Sequence, residues 1–86
     1  MFLHYSSRFK KSFRKRPEWL REIVKARVRL FAQDPRHPLF DDHPLGGKLA
    51  GLRSFSVTGD VRIQYEPFSD GSARLIDLGT HSELYG

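Results

Sequence analysis

The sequence contains no cysteine and no long apolar run, and each absence excludes whole classes of protein. Without cysteine the chain has no disulfide scaffold, no thiol nucleophile and no thiolate zinc site. No segment approaches the roughly 20 apolar residues that a membrane-spanning helix needs, so no membrane partner is expected. Residues 1–5 lack the charged and apolar regions of a secretory signal peptide, so we expect a cytoplasmic protein.

The residues that are present favour one small basic domain over residues 1–86. Hydrophobic residues make up 38% of the chain and aromatic residues 13%, which favours a folded core over disorder. The net charge of +5 favours polyanionic partners, although charge alone does not distinguish nucleic-acid binders from other basic domains. The densest basic segment contains Arg8, Lys10, Lys11, Arg14, Lys15 and Arg16.

The first half of the sequence predicts a strand followed by two helices. Residues 2–5 alternate weakly and precede Ser6, a good helix N-cap, so a short strand should enter a helix over 7–15. Pro17 suits the first turn of a second helix, and apolar residues then keep the helical period until Asp34-Pro35 ends it. The two helices should form a helical hairpin.

The second half predicts a long loop and an antiparallel meander. Residues 35–51 have loop composition, and a loop this long in a small domain is often functional. The predicted strands cover 52–57, 60–66 and 73–78, with tight turns at 58–59 and 69–71. Apolar and polar residues alternate over 61–66, so one face should pack on the helices. We therefore predict an α+β domain of order β-α-α-β-β-β, with an antiparallel sheet of about four strands and the hairpin on one face.

Three segments of the second half carry side chains that can cleave RNA without a metal. They are Asp42-His43-Pro44-Leu45-Gly46-Gly47, Gly59-Asp60-Val61-Arg62-Ile63-Gln64-Tyr65 and Gly79-Thr80-His81-Ser82-Glu83-Leu84-Tyr85-Gly86. Attack by the ribose 2′-OH needs a base, an acid and a cation near phosphorus. Histidine titrates near neutral pH, so His43 and His81 could supply base and acid. Arg62 could hold the phosphate, and Tyr85 could stack on a base.

These segments resemble the D-H-P-L-x-G loop, the G-D-x-R-[I/L]-x-Y strand and the G-T-H-x-x-L-[F/Y]-G end of the RelE/ParE superfamily of bacterial toxins. The resemblance is closest to its YafQ-like mRNA endonucleases. It implies the RelE-like fold, a catalytic role for His81 and a contribution from Tyr85. Asp60 matches a motif acid, which either positions a histidine or serves as a turn residue. The resemblance also implies ribosome-dependent cleavage of mRNA and a cognate antitoxin, which we expect to carry an acidic segment.

Other cations are predicted to bind the RNA backbone, and we expect Arg53 to lie near Arg62 across the sheet. The full set is Arg53, Lys48, Lys10, Lys11, Arg14 and Lys15. The basic helix could equally be an ordinary solvated face, since phosphate contacts position RNA without reading its sequence. The histidines and acids lack the spacing of a zinc site, so we predict no metal and no cofactor.

The sequence departs from the YafQ-like pattern at Ser54 and Ser56, where that pattern has an acid and a histidine. Serine cannot replace imidazole in proton transfer at neutral pH. Arg62 and Arg53 could compensate through a more phosphate-clamping site. The alternatives are a weakened toxin, a non-catalytic RNA-binding module, and a ParE-like toxin that binds DNA gyrase; the histidines count against the last of these.

Overall fold

The computed structural model describes residues 1–85, which form a five-stranded mixed sheet with two helices on one face. The elements are β1 (Leu3–Tyr5), α1 (Ser7–Arg14), α2 (Glu18–Gln33), β2 (His43–Pro44), β3 (Arg53–Thr58), β4 (Val61–Pro67), β5 (Ala73–Thr80) and α3 (His81–Tyr85), with 3-10 turns at Pro38–Phe40 and Gly47–Leu49. The strand order is β1-β5-β4-β3-β2. Across residues 1–85 no helix has the length and apolarity to cross a bilayer.

The predicted helical hairpin is confirmed, together with the local signals that define its ends. The Ser6 hydroxyl accepts a hydrogen bond of 2.9 Å from the backbone N–H of Phe9, which satisfies one unpaired donor of the first turn of α1. Proline at position 17 precedes α2, and its carbonyl accepts the backbone N–H groups of Leu20 and Arg21. Helix α2 ends immediately before Asp34, as the Asp-Pro pair predicts.

The core lies between the helices and one face of the sheet. It consists of Phe9, Leu20, Val24, Phe31, Phe40, Phe55, Val57, Ile63, Tyr65, Ala73, Leu75 and Leu78. At its centre the ring of Phe31 stacks on Phe55 with centroids 4.1 Å apart, while Phe40 meets both rings edge-on. Burying each such ring contributes about 1.5–3 kcal/mol, so this aromatic cluster holds the hairpin on the sheet. On β4 the predicted alternation is confirmed for Ile63 and Tyr65, which are buried in this core, but Gln64 on the other face is buried as well.

The predicted fold class is confirmed, and the sheet differs in two details from the expected four or so antiparallel strands. Strand β1 pairs parallel with β5, because the two helices carry the chain across the sheet as a crossover connection. A fifth strand, β2, lies inside the predicted loop, where His43 pairs with Ser54. It escaped prediction because it has only two residues and one is proline. The α+β class and the element order β-α-α-β-β-β, apart from β2 and α3, agree with the prediction.

Helix α3 was also missing from the prediction, although its signal is present in the sequence. Thr80-His81-Ser82-Glu83 has the T-x-x-E spacing of a capping box, which predicts a helix start. The β3–β4 turn consists of Gly59 and Asp60, one residue later than predicted. Gly59 has a φ of 50°, a conformation that glycine adopts without a steric penalty.

Candidate functional site

Two of the predicted catalytic residues lie on the sheet face opposite the hydrophobic core, which we call the outer face. Partner residues of an antiparallel pair project to the same side of a sheet. His43 pairs with Ser54, and Ser56 pairs with Arg62, which pairs in turn with Gly79. Because Phe55 and Ile63 face the helices, their neighbours along each strand face away. The outer face therefore carries His43, Ser54, Ser56, Arg62 and Gln64.

Arg62 fastens the loop before β2 to the sheet. Its Nε donates to the Ser54 hydroxyl at 2.6 Å, and its Nη2 donates to the carbonyls of Ser54 at 3.0 Å and Asp41 at 2.9 Å. The side chain is only 16% exposed. Nη1 lies 3.8 Å from the Asp41 carboxylate and makes no hydrogen bond within residues 1–85. Nη1 is thus the part of the guanidinium that can face a phosphate.

The loop held by Arg62 orients the imidazole of His43. The Nδ1 atom lies 3.1 Å from the Asp41 carbonyl and 3.4 Å from Nη2 of Arg62. A single ring nitrogen cannot donate a hydrogen bond to the Asp41 carbonyl and accept one from Arg62 at the same time. The contact with the carbonyl is the shorter of the two. We therefore assign the proton to Nδ1, which leaves a lone pair on Nε2 of this exposed residue. That is the form in which histidine acts as a base.

Asp42, the next residue, is bound from the opposite side of the sheet. Its carboxylate accepts hydrogen bonds from Nε of Arg53 at 3.0 Å and from the hydroxyl of Tyr65. Arg53 and Tyr65 are cross-strand partners on the helix-facing side. Burial raises the pKa of the Tyr65 hydroxyl, and the hydrogen bond and charge of Asp42 raise it further. The residues before His43 are therefore fixed from both faces, by Arg62 and by the Arg53–Tyr65 pair.

The expectation that Arg53 would lie beside Arg62 was wrong. Arg53 pairs with Tyr65 and Arg62 pairs with Ser56, so the alternation of side chains places the two arginines on opposite faces. Burial lowers the pKa of Arg53, but the hydrogen bond and charge of Asp42 outweigh it and raise the pKa overall. One phosphate cannot sit between these two guanidiniums, and Arg53 serves to hold Asp42.

Helix α3 presents His81 and Tyr85 at the end of β5. The Thr80 hydroxyl accepts from the Glu83 N–H at 3.2 Å, while the Glu83 carboxylate accepts from the Thr80 N–H at 2.8 Å. This reciprocal pair is a capping box. The rings of His81 and Tyr85, one helical turn apart, have centroids 4.8 Å apart. Both side chains are exposed, so an imidazole and a phenol ring face solvent together.

Glu83 and Arg16 fix α3 against the sheet. Nη1 of Arg16 donates to both carboxylate oxygens of Glu83, at 3.0 and 3.1 Å. The hydrogen bond from the backbone N–H of Thr80 has the largest effect and holds the pKa of Glu83 below its ordinary value. Burial opposes it, and the hydrogen bond and charge of Arg16 lower the pKa further. A Cβ on Gly79 would come within 3.1 Å of Glu83. Because Gly79 is the cross-strand partner of Arg62, α3 lies against the outer face next to this pair.

The two histidines lie at different ends of the outer face. His43 pairs with Ser54, which pairs in turn with Gln64. His81 follows Thr80 and lies further along the strand direction, beyond the residues that pair with Arg62. Strands β2 and β5 are three spacings apart, about 14 Å in a flat sheet. Within residues 1–85 no hydrogen bond joins His81 to His43 or Arg62. Arg62 and its cross-strand partners lie between the two imidazoles.

The remaining predicted residues lie outside this group. Asp60 is exposed in the β3–β4 turn, a position that favours the turn role over a contact with a histidine. Lys48 is exposed on the 3-10 turn after β2. Lys10, Lys11, Arg14 and Lys15 are exposed on α1 or directly after it. In the part of the chain that the structure describes, no three His, Cys, Asp or Glu side chains are grouped as metal ligands.

Sequence reasoning gave no role to five residues that build the site. They are Arg16, Asp41, Asp42, Ser54 and Glu83. Glu83 could have been identified from the capping-box spacing. The other four act through contacts between residues far apart in the sequence, such as Arg53 with Asp42 and Arg16 with Glu83, for which no local signal exists.

The buried Tyr65 hydroxyl predicts a loss of stability in alkali. Its folded pKa is raised above the ordinary value of 10.0, so above that pH the unfolded chain releases a proton that the folded chain keeps. The stabilisation is complete below pH 10 and falls by up to about 1.4 kcal/mol per pH unit above it. Urea unfolding from pH 8 to 11 should show the advantage of wild type over Tyr65→Phe shrinking above pH 10. Tyr85→Phe is the exposed control, and a constant difference for Tyr65→Phe would contradict the assignment.

The capping box predicts that α3 can be loosened without unfolding the domain. Loss of an N-cap side chain typically costs about 1 kcal/mol, roughly a fivefold change in population. Thr80→Ala should speed amide exchange at Glu83 while the melting temperature of the domain hardly changes. Thr80→Ser should retain the cap, and Ser82→Ala should have no effect. Unchanged exchange in Thr80→Ala would show that other contacts hold α3.

Comparison with known proteins agrees with the fold and the motifs. YafQ from E. coli strain BL21(DE3) is similar with a TM-score of 0.79 and 24% identity, over 98% of this chain and 97% of that chain. YafQ in the E. coli DinJ-YafQ toxin-antitoxin complex is similar with 0.75 and 25%, over 98% and 96%. A metal-bound toxin from Helicobacter pylori is similar with 0.72 and 26%, over 99% of each chain. A search of curated protein sequences finds no match.

The sequence model of one family, described as the bacterial toxin YafQ of type II toxin–antitoxin systems, matches residues 1–86. The match covers both helices and all three motif segments. The predicted resemblance to YafQ-like toxins is thereby confirmed. This chain belongs to the YafQ family of type II toxins.

Proposed function

We propose that this toxin is an endoribonuclease that cleaves mRNA on the ribosome, without a metal, by attack of a ribose 2′-OH on the adjacent phosphate. The observation that carries the proposal is the arrangement at His43. Its Nδ1 is bonded to the Asp41 carbonyl, its Nε2 is exposed, and Arg62 lies beside it. An oriented neutral imidazole next to a guanidinium fits a base beside a phosphate.

Each step of this reaction has a residue of suitable chemistry. Nε2 of His43 takes the proton of the 2′-OH as the 2′-oxygen bonds to phosphorus. Nη1 of Arg62 donates to a non-bridging oxygen, where negative charge develops. His81 gives a proton to the departing 5′-oxygen, and Tyr85 stacks on the neighbouring base. The products are a 2′,3′-cyclic phosphate and a 5′-hydroxyl end.

Ser54 supports the site without moving a proton. It is fully buried and accepts a hydrogen bond from Arg62, while its carbonyl accepts another. Ser56 is the cross-strand partner of Arg62 on the same face. The proposed chemistry therefore depends on two histidines and one arginine, and the two serines do not prevent it.

The separation of the candidate residues supports dependence on the ribosome. The two exposed imidazoles are at opposite ends of the outer face, with the partly buried Arg62 between them. A small domain with this face cannot by itself bend RNA into the in-line geometry that attack requires. The ribosome would hold the mRNA in that geometry.

The experiment is cleavage of a labelled mRNA on programmed ribosomes, compared with the same RNA alone. We expect codon-phased cuts that end in a cyclic phosphate, much faster on ribosomes, and unaffected by a zinc-selective chelator at constant magnesium. Cuts that need an added transition metal would overturn the metal-independent site. No cuts, together with inhibition of DNA gyrase, would support a ParE-like activity instead.

For the antitoxin, we propose an acidic amphipathic helix that binds the groove between α1 and α2. The groove has a volume of about 420 Å³; it is lined by Tyr5, Phe9, Phe13, Val24 and Val28 and flanked by Lys10, Arg14, Lys25 and Arg29. Apolar residues flanked by cations fit a helix with one apolar face and acidic sides. Such a partner would also neutralise charge that otherwise attracts RNA indiscriminately.

This groove predicts different kinetic effects for its apolar and basic residues. With the product of the adjacent reading frame as partner, Phe13→Ala should raise the dissociation rate about tenfold or more, because buried apolar contact is lost. Arg29→Ala should lower the association rate and weaken its dependence on salt. Trp19→Ala, an exposed residue of α2 outside the groove, is the control. Equal kinetics for Phe13→Ala and wild type would place the antitoxin elsewhere.

A further inference from the structure

Exposed aromatic side chains cluster at the β1 edge of the sheet. The rings of Phe2 and His4 have centroids 4.8 Å apart, and the ring of Phe68 lies 6.0 Å from that of His4 in an edge-on arrangement. Phe2 is 69% exposed and Phe68 is 37% exposed. Neither belongs to the core, so the fold does not account for their exposure.

This cluster lies on the same outer face as Arg62. His4 pairs with Arg74, and Arg74 pairs with Glu66. Arg74 is exposed between the buried Ala73 and Leu75, so it points away from the helices. Glu66 is four residues from Arg62 along β4, which corresponds to about 13 Å. The cluster and the proposed cleavage site therefore lie on the same face of the sheet, with the buried Gln64 between them.

The chemistry of the cluster fits an unpaired base. An open depression of about 360 Å³ is lined by His4, Tyr5, Phe68 and Arg74. Aromatic faces beside an arginine on a sheet are the elements with which proteins stack single-stranded bases. Two acids lie at this end: Glu66, the cross-strand partner of Arg74, and Asp70, whose carboxylate accepts hydrogen bonds from the N–H and hydroxyl of Ser72. Binding here would therefore depend on stacking, with Arg74 as the cation for a phosphate.

We propose that Phe2, His4, Phe68 and Arg74 form a second RNA subsite, which stacks an unpaired base of the mRNA a few nucleotides from the cleaved bond. The proposal rests on the proposed function, since mRNA is taken as the substrate. The position on the same sheet face as Arg62 and the net charge of +5 favour RNA over a second copy of this chain. RNA must be long enough to reach the subsite to bind with full affinity.

The test uses an uncleavable 2′-O-methyl oligoribonucleotide of about eight nucleotides that carries 2-aminopurine at successive positions. Stacking should quench the fluorescence of one position. Phe2→Ala and Phe68→Ala should each abolish that quenching and weaken binding about 5- to 100-fold, whereas Phe68→Tyr retains both. Affinity for a dinucleotide, too short to span both sites, should not change. Trp19→Ala, also an exposed aromatic at 64% but on α2, should match wild type.

Other outcomes overturn the subsite. Quenching that survives in Phe2→Ala and Phe68→Ala, or no quenching at any position, shows that no base stacks here. A change in sedimentation of Phe2→Ala without any change in RNA affinity assigns the cluster to contact with a second copy. Because the oligonucleotide cannot be cleaved, the result is independent of nuclease activity. Quenching without cleavage of mRNA would contradict only the nuclease proposal, and cleavage without quenching would contradict only the subsite.

Discussion

Replacement of His81 by alanine is expected to lower the rate of mRNA cleavage by about 10²–10⁴-fold, the usual effect of removing a general acid or base. The side chain is exposed at the first position of α3 and makes no hydrogen bond in residues 1–85 on which folding depends. The free energy of unfolding should therefore stay within about 0.5 kcal/mol of wild type. Single-turnover cleavage on programmed ribosomes measures the rate, and urea unfolding measures the stability.

Two controls separate catalysis from the integrity of α3. Ser82→Ala changes the neighbouring exposed residue of the same helix and should cleave at the wild-type rate. The pH dependence of the single-turnover rate should be bell-shaped in wild type and lose its alkaline limb in His81→Ala, because the acid must carry a proton. A wild-type rate for His81→Ala would show that this histidine takes no part in the reaction.

The local parts of the fold could be predicted because their signals lie within a few residues. Ser6 begins α1, Pro17 precedes α2, and the alternation over 61–66 separates the two faces of β4. The parallel pairing of β1 with β5 could not be predicted in this way. It joins residues about 70 positions apart, Leu3 with Ala73, and depends on how the helices cross the sheet.

The site was predictable in its chemistry but not in its construction. The motifs identified His43, Arg62 and His81, whose residue types suit RNA cleavage. They could not show that the Arg53 side chain lies on the opposite face of the sheet from Arg62, because that depends on the register between β3 and β4. They also could not show that the main-chain carbonyl of Asp41 is the shared acceptor for Arg62 and His43. Every residue has a main-chain carbonyl, so the sequence does not indicate which carbonyl will accept these hydrogen bonds.

Asp41 has a left-handed backbone conformation, which the contacts to its carbonyl help to maintain. Its φ of 43° is uncommon for a residue other than glycine, although aspartate tolerates it better than most. Such a conformation costs about 1 kcal/mol or more and persists only where surrounding contacts fix it. Arg62 supplies one of those contacts, through the carbonyl of the same residue. The arginine therefore maintains the loop geometry that directs His43, in addition to its proposed contact with the phosphate.

Because we propose both roles for Arg62, we expect its replacement to affect His43. The substitution Arg62→Lys would keep the positive charge but lose the planar guanidinium, which hydrogen-bonds Ser54 and Asp41 at the same time. We expect Arg62→Lys to lower single-turnover cleavage about 10- to 100-fold and to cost about 1.5–3 kcal/mol of stability, the usual range for hydrogen bonds to a charged group. Arg53→Lys, on the other face, loses the Asp42 contact and should change stability more than rate.

A double-mutant cycle with His43→Ala distinguishes the two roles of Arg62. If the arginine acts by orienting the imidazole, Arg62→Lys should cost much less in rate when His43 is already alanine, a coupling of about 1–3 kcal/mol. The variants are compared at a temperature where each is folded by circular dichroism. Strictly additive effects would mean that Arg62 stabilises charge on the phosphate independently of His43. A wild-type rate for Arg62→Lys would contradict both roles, because no other described contact links the Asp41 carbonyl to β4.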